Sequence, residues 1–237
     1  MITIDFKRLD LTAGDRILDI GCGSGRHVGE AVRQDDVYVV GADVRMADVT
    51  ASRRRLILHE QVGECHGRWG LLSANLLALP FAGETFDLVI CSEVLEHIDQ
   101  DGAAVDELIR VLKPGKNLAI SVPRWYPERI CWSLSEEYAS ASDGHVRIYR
   151  KGDITRLFNG RGMTLWASHF AHGWHTPYWW LKCLIGPNRD QAWPVQAYHQ
   201  FLIWDMFTKP GVTRFLEKLM NPLMGKSLVM YLRKGRP

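Results

Sequence analysis

Two groups of residues in this chain of 237 have the types and spacing to do chemistry. The first is Asp19-Ile-Gly21-Cys-Gly23-Ser-Gly25, an acid followed by glycines at every second position. Glycine serves where the chain turns sharply and where a ligand lies against the main chain. A dinucleotide-binding turn reads G-x-G-x-x-G, and Arg26 stands where its third glycine belongs. The pattern is D-x-G-x-G-x-G instead, and an acid at that point faces an ammonium group better than a pyrophosphate. The second group is Glu93-Val-Leu-Glu96-His97. Its spacing of i, i+3, i+4 predicts one face of a helical turn. Two carboxylates and an imidazole there repel unless something positive sits between them. A divalent cation is one candidate, and a turn packed without metal is the other.

Further candidates follow runs of apolar residues. Asp43 lies about 20 residues beyond the glycines, where an acid commonly grips a ribose diol. Asn75 could pair its amide with an adenine edge or satisfy its own turn.

These residues need elements to position them. Short apolar runs predict strands at 16–20, 37–42, 69–74, 86–91, 117–122, 163–170 and 227–233. Helical patterns fall at 24–34, 46–62, 101–112 and 151–159, the third stopped by Pro114-Gly115. The helix at 46–62 carries Arg53-Arg54-Arg55, most simply a solvated face. Alternating strands and helices predict a doubly wound, mostly parallel α/β sheet. Asp19, Gly21, Gly23, Asp43 and Asn75 would then share the carboxyl edge, where open sheets bind ligands.

Together, LDIGCGSG, the acid at Asp43, ANLLALPF, FDLVICSEVLEHI and VLKPG resemble the class I S-adenosylmethionine-dependent methyltransferases of the methyltransferase type 11 group. The resemblance is close over 14–122 and looser to 170. It implies a seven-stranded sheet of order 3-2-1-4-5-7-6 with the last strand antiparallel. It implies a single domain over 1–237, with insertions at 123–144 and 171–225 on the acceptor side. The cofactor S-adenosylmethionine would lie on Asp19, Gly21, Gly23 and Gly25 with its methionine part, on Asp43 with its ribose, and against Asn75, Leu76 and Ser92. The family usually has Asp where this chain has Asn75.

E-x-x-E-H is also similar to the motif of metal-dependent ubiquinone-pathway O-methyltransferases and small-RNA 2′-O-methyltransferases. Those carry a further histidine after the fifth strand, and His145 stands in the matching region. The resemblance makes Glu93, Glu96, His97 and His145 candidate ligands for Mg²⁺ or another divalent cation. Such a cation would lower the pKa of an acceptor oxygen and fix its position. Without metal, His97 or His145 could take the proton as a general base. Either route points to O-methylation of a small, partly apolar or aromatic acceptor. The alternatives are C- or N-methylation of a small molecule, and an inactive partner subunit of the same fold.

The composition narrows the partners. A net charge of +2 argues against nucleic acid as substrate, since tracking phosphates needs a basic surface. Five cysteines without a C-x-x-C read as buried thiols in a reducing, cytoplasmic setting. No secretory leader pattern opens the sequence. The aromatic stretch at 171–225 predicts a cap over the acceptor. At its start, His169, His172 and His175 run from the sixth strand into this stretch, spaced i, i+3, i+6 and weakly suited to metal. The run Tyr178-Trp-Trp-Leu-Lys-Cys-Leu-Ile185 suits a membrane interface or a dimer contact.

Overall fold

Alternate residues of the apolar runs point to opposite faces, and each face has its own core. The computed structural model describes residues 2–140, 144–208 and 210–236. Its strands are β1 (Arg16–Ile20), β2 (Tyr38–Asp43), β3 (Arg68–Ser73), β4 (Phe86–Ser92), β5 (Leu112–Pro123), β6 (Met163–Ala171) and β7 (Ser227–Lys234). They form one sheet of order β3-β2-β1-β4-β5-β7-β6, as the sequence leads one to expect. Neighbours from β3 through β5 pair parallel, while β7 runs antiparallel to both β5 and β6.

Leu18, Val40, Val89, Leu118 and Met230 face one core, completed by Leu108 of α3 (Asp101–Val111) and Phe158 of α6 (Lys151–Phe158). Ile17, Val39, Leu88, Ala119 and Val229 face the other, with Val28 of α1 (Arg26–Ala31) and Leu56 of α2 (Met46–Gln61). That second face also receives Ile4, Phe6 and Leu9, so the segment before β1 is part of the core. Its Asp5 N–H donates to the Tyr231 hydroxyl at 2.8 Å.

Local chemistry adjusts two expected boundaries. Helix α1 starts later than the pattern suggests because Gly25 takes a left-handed conformation, φ 75°, which ends the glycine turn rather than opening a helix. The predicted helical turn at 93–97 is a 3₁₀ turn over Leu95–His97, and Glu93 precedes it with φ 57°. Glu93 therefore does not share a helical face with Glu96 and His97.

The two long connections are helical. After β5 come α4 (Trp125–Leu134) and α5 (Glu136–Ala139). After β6 come α7 (His175–Ile185), α8 (Trp193–Thr208) and α9 (Gly211–Met224).

Candidate active site

The carboxyl ends of β1, β2 and β4 meet around the glycine turn. Gly21 and Gly25 are needed for close packing: a Cβ would overlap Val94 at the first and Ser52 at the second. Gly23 differs, since a Cβ there meets nothing within 4 Å. It is the glycine of the three that presents open backbone. Its N–H donates to Asp43 Oδ2 at 2.9 Å, and Arg45 N–H donates to Asp43 Oδ1 at 2.9 Å. Asp43 is thus stapled to the turn, with each oxygen keeping a lone pair for a further donor.

Asp19 is 1% exposed, and neither carboxylate oxygen has a well-formed hydrogen bond. Burial raises its pKa to about 7, partly offset by the Arg26 guanidinium and by the nearby Val28 N–H. A buried acid so poorly supplied with donors is costly, and a cationic group at the strand end would relieve it.

Asn75 accepts from the Leu77 N–H at 3.0 Å through Oδ1, so its carbonyl closes its own turn while its NH₂ and one carbonyl lone pair are left to a ligand. Leu76 sends its side chain into the core, so its main chain is what faces outward. Ser92 at the end of β4 is linked to Ser121 of β5, Oγ to Oγ at 2.7 Å. Ser121 Oγ donates in turn to Glu93 Oε1 at 2.8 Å.

Beside the glycine turn, and touching it through Val94, lies the second cluster. Ligand-capable atoms of Glu96, His97 and His145 all fall within 4.8 Å of one another. Glu93 is not in that set; its backbone conformation turns its carboxylate to Ser121. Glu96 is 1% exposed and both its oxygens lack partners. Burial, followed by the charge of Glu93, pushes its pKa well above the usual carboxylate range. His97 Nδ1 pairs with the Gly144 carbonyl at 3.1 Å, leaving Nε2 toward Glu96 at 4.0 Å. His145 Nδ1 pairs with Glu128 Oε1 at 2.7 Å, leaving its Nε2 for the cluster. Each imidazole is held through its Nδ1 by a fixed oxygen acceptor, the kind of contact that orients metal-binding histidines.

The loop carrying His145 is fastened to the turn it serves. Val146 N–H donates to the Glu96 carbonyl at 2.9 Å, and Tyr149 hydroxyl donates to Asp101 at 2.7 Å. Arg147 forms an ion pair with Asp101 as well.

Sequence reasoning missed Glu128. It lies buried on α4 and receives His145, the Tyr138 hydroxyl at 3.0 Å and the Lys226 ammonium at 3.1 Å. Burial would raise its pKa, but these donors and the Lys226 charge hold it down at about 2. No spacing rule ties α4 to the residue before β7, so no local signal exists for this group.

The other expected histidines do not form a metal set with three ligands among the described residues. His169 stacks on Tyr231, with ring centroids 5.7 Å apart. His172 pairs with Thr3 Oγ1 at 3.1 Å, and His27 Nε2 accepts from Thr3 N–H at 3.2 Å. Burial lowers the pKa of His27 to about 3 and of His175 to about 4. These rings are neutral and join the N-terminal segment to the cap. The run from Tyr178 to Ile185 is mostly packed inward: Trp180 donates to the Pro127 carbonyl at 3.1 Å, and Trp179 lies 5.7 Å from Tyr138.

Residues 18–120 match the family described as "Methyltransferase domain". The chain is 33% identical over 115 residues to O-methyltransferase rstn1 of Aspergillus nomiae, covering 48% of this chain and 49% of that one. It is 26% identical over 204 residues to an uncharacterized methyltransferase of Mycolicibacterium vanbaalenii, covering 86% and 73%. Among solved structures, a putative methyltransferase from Bacillus halodurans superposes with a TM-score of 0.65 at 18% identity, covering 98% of this chain and 97% of that one. The chain spans about half the length of the first curated relatives it matches.

Proposed function

We propose that residues 18–120, which match the methyltransferase-domain family, bind S-adenosylmethionine as a class I methyltransferase does, and that this protein methylates a hydroxyl of a small, partly apolar or aromatic acceptor, with a divalent cation at Glu96, His97 and His145. The observation that carries the reading is the buried, unpartnered carboxylate of Glu96 between two imidazoles, each held through its Nδ1.

The residues fit both groups. Asp19 offers a buried anion to the ammonium of the methionine part, Gly23 offers open backbone, and Asp43 keeps acceptor capacity for ribose hydroxyls. One anionic oxygen and two imidazole nitrogens are donors that suit Mg²⁺ poorly and Mn²⁺, Fe²⁺, Co²⁺ or Zn²⁺ well. Bound there, the cation would acidify the acceptor hydroxyl and hold it in place, while the sulfonium supplies an activated methyl.

The chain's own groups perform the rest. Glu128 fixes the tautomer of His145, because a carboxylate at Nδ1 keeps the proton on that nitrogen. The Gly144 carbonyl does the same for His97. Val94 couples the cluster to the glycine turn, so donor and acceptor pockets share a wall. Holding the two reactants at that wall supplies much of the rate. The aromatic cap, with Trp180 packed on α4 and Trp179 on α5, would shield the acceptor side from water.

The test is transfer of labelled methyl from S-adenosylmethionine to a panel of phenols and aliphatic alcohols. It is run on protein treated with EDTA and then given back Mg²⁺, Mn²⁺ or Zn²⁺. The reading expects turnover that is lost on chelation and returns best with Mn²⁺ or Zn²⁺. Turnover insensitive to EDTA removes the metal, and transfer only to amines or carbon acids removes the hydroxyl.

A further inference from the structure

Helix α9 is amphipathic in the wrong sense for a helix that packs on a protein. Val212, Phe215, Leu216, Leu219 and Leu223 recur at i, i+3, i+4, i+7 and i+11, one stripe of a helix. That stripe points to solvent: Phe215 is 68% exposed, Leu219 64% and Leu223 71%. No residue of α9 is buried. The side turned to the body is mixed, with Thr213, Glu217, Met220, Asn221 and Met224 the less exposed residues. Asn221 Oδ1 accepts from Gly173 N–H at 2.8 Å, and Arg214 pairs with Asp205 of α8. The neighbouring helix adds Phe207 at 78% and Trp204 at 49%.

Charge says what covers this face. Between residues 193 and 225 the carboxylates are Asp205 and Glu217, and both are taken up by Arg214. Lys218, on the flank of the stripe, has no carboxylate partner among the described residues. The outward face is therefore aromatic and aliphatic, edged by the Lys218 cation and free of unpaired acids. Such a face suits an anionic bilayer surface.

A second copy suits it less well. Lys218 stands near the middle of α9, so a two-fold axis through the stripe would bring two like charges together. No helix among the described residues is long and apolar enough to cross a membrane, so the contact is one of lying on the surface.

We propose that helix α9 docks this protein on anionic lipid bilayers through Phe215, Leu219 and Leu223, with Lys218 at the headgroups. Helix α9 rests on Gly173 and Arg124, which follow the carboxyl ends of β6 and β5, through Asn221. Docking thus brings the acceptor side of the sheet to the lipid. The inference does not depend on which atom is methylated.

The test is sedimentation of the full chain with vesicles of phosphatidylcholine, with and without phosphatidylglycerol. It is paired with light scattering to give the oligomeric state. The proposal expects the wild type to pellet with the anionic vesicles. It expects Phe215→Glu/Leu219→Glu to stay in solution, with partitioning lowered about tenfold or more and an unchanged circular dichroism spectrum. Lys218→Gln weakens binding to anionic vesicles about fivefold and leaves neutral vesicles unaffected. Absence of pelleting by the wild type overturns the proposal, as does equal pelleting by the double variant. So does a wild-type dimer that the double variant converts to monomer, which would assign the stripe to a second copy.

Discussion

Asp19 and Glu96 are the same kind of anomaly in two settings. Each is 1% exposed at the carboxyl edge of the sheet, and in each neither oxygen has a well-formed hydrogen bond. Their neighbours differ. Asp19 has the Arg26 guanidinium nearby, which offsets burial in part, and one further acid, Asp43, that adds to it. Glu96 has two further carboxylates around it, Glu93 and Glu128, that push its pKa in the same direction as burial, against a smaller opposing effect of Lys226. Under the proposed function the first carboxylate meets an ammonium and the second a divalent cation, and that division can be broken at either end.

The largest effect is expected at Glu96. Glu96→Gln keeps the shape and removes the charge, so kcat falls by about 100-fold or more while the cofactor Kd moves less than about threefold. Kinetics and calorimetry on one preparation check this. If Kd collapses as well, the two carboxylates serve one ligand and the division is wrong.

Asp19→Asn reverses the pattern. Losing a charge-assisted contact of about 1.5–3 kcal/mol raises the Kd for S-adenosylmethionine about 10–100-fold, with kcat at saturation little changed. The ligand-free variant should nevertheless melt a few degrees higher at pH 8, because an unpaired buried charge has been removed. A variant that binds as tightly as wild type, or melts lower, defeats the assignment of Asp19 to an ammonium.

Glu128→Gln probes the support rather than the ligand set. An amide oxygen can still accept from His145, but the charge that steadies the ring and Lys226 is gone. About a tenfold loss is expected in kcat or in the concentration of metal needed for half activity, with cofactor affinity unchanged. A purely structural role for Glu128 would shift the melting temperature without moving the metal titration.

The two sites were legible to different depths. Asp19, the glycines and Asp43 lie within runs whose local spacing places them at strand ends, and the sheet order followed from the family resemblance that these motifs carry. Glu96, His97 and His145 were named from a motif, but helical spacing misplaced Glu93, because a residue at φ 57° breaks the periodicity that the count assumes. Glu128 and Lys226 were invisible. They meet across 98 residues, and only the packing of α4 against the start of β7 joins them. The aromatic run at 178–185 suited a surface contact by composition, yet most of it is packed against its neighbours and only Leu184 is strongly exposed. The exposed stripe belongs to α9, because composition shows how apolar a segment is and not which of its faces the body already occupies.

The smallest expected effect bears most directly on the comparison. In the free protein Asp19 holds its proton up to about pH 7, whereas in the unfolded chain it loses it near 3.8. Between those values the folded state binds the extra proton, so this group's contribution makes the free protein less stable as pH rises toward 7. An arriving ammonium favours the ionised form and draws the pKa back down. Binding must then release a proton from Asp19 between about pH 5 and pH 7, and affinity must rise with pH across that window. Above it the release fades, and the amine of the ligand begins to lose its own charge. Calorimetry at each pH, in two buffers of different ionisation enthalpy, counts the protons. The informative quantity is wild type minus Asp19→Asn: up to one proton near pH 6, falling toward none at pH 8. Equal counts for the two proteins at pH 6 would mean that Asp19 meets no positive charge when the ligand binds, and the contrast with Glu96 would lose its physical basis.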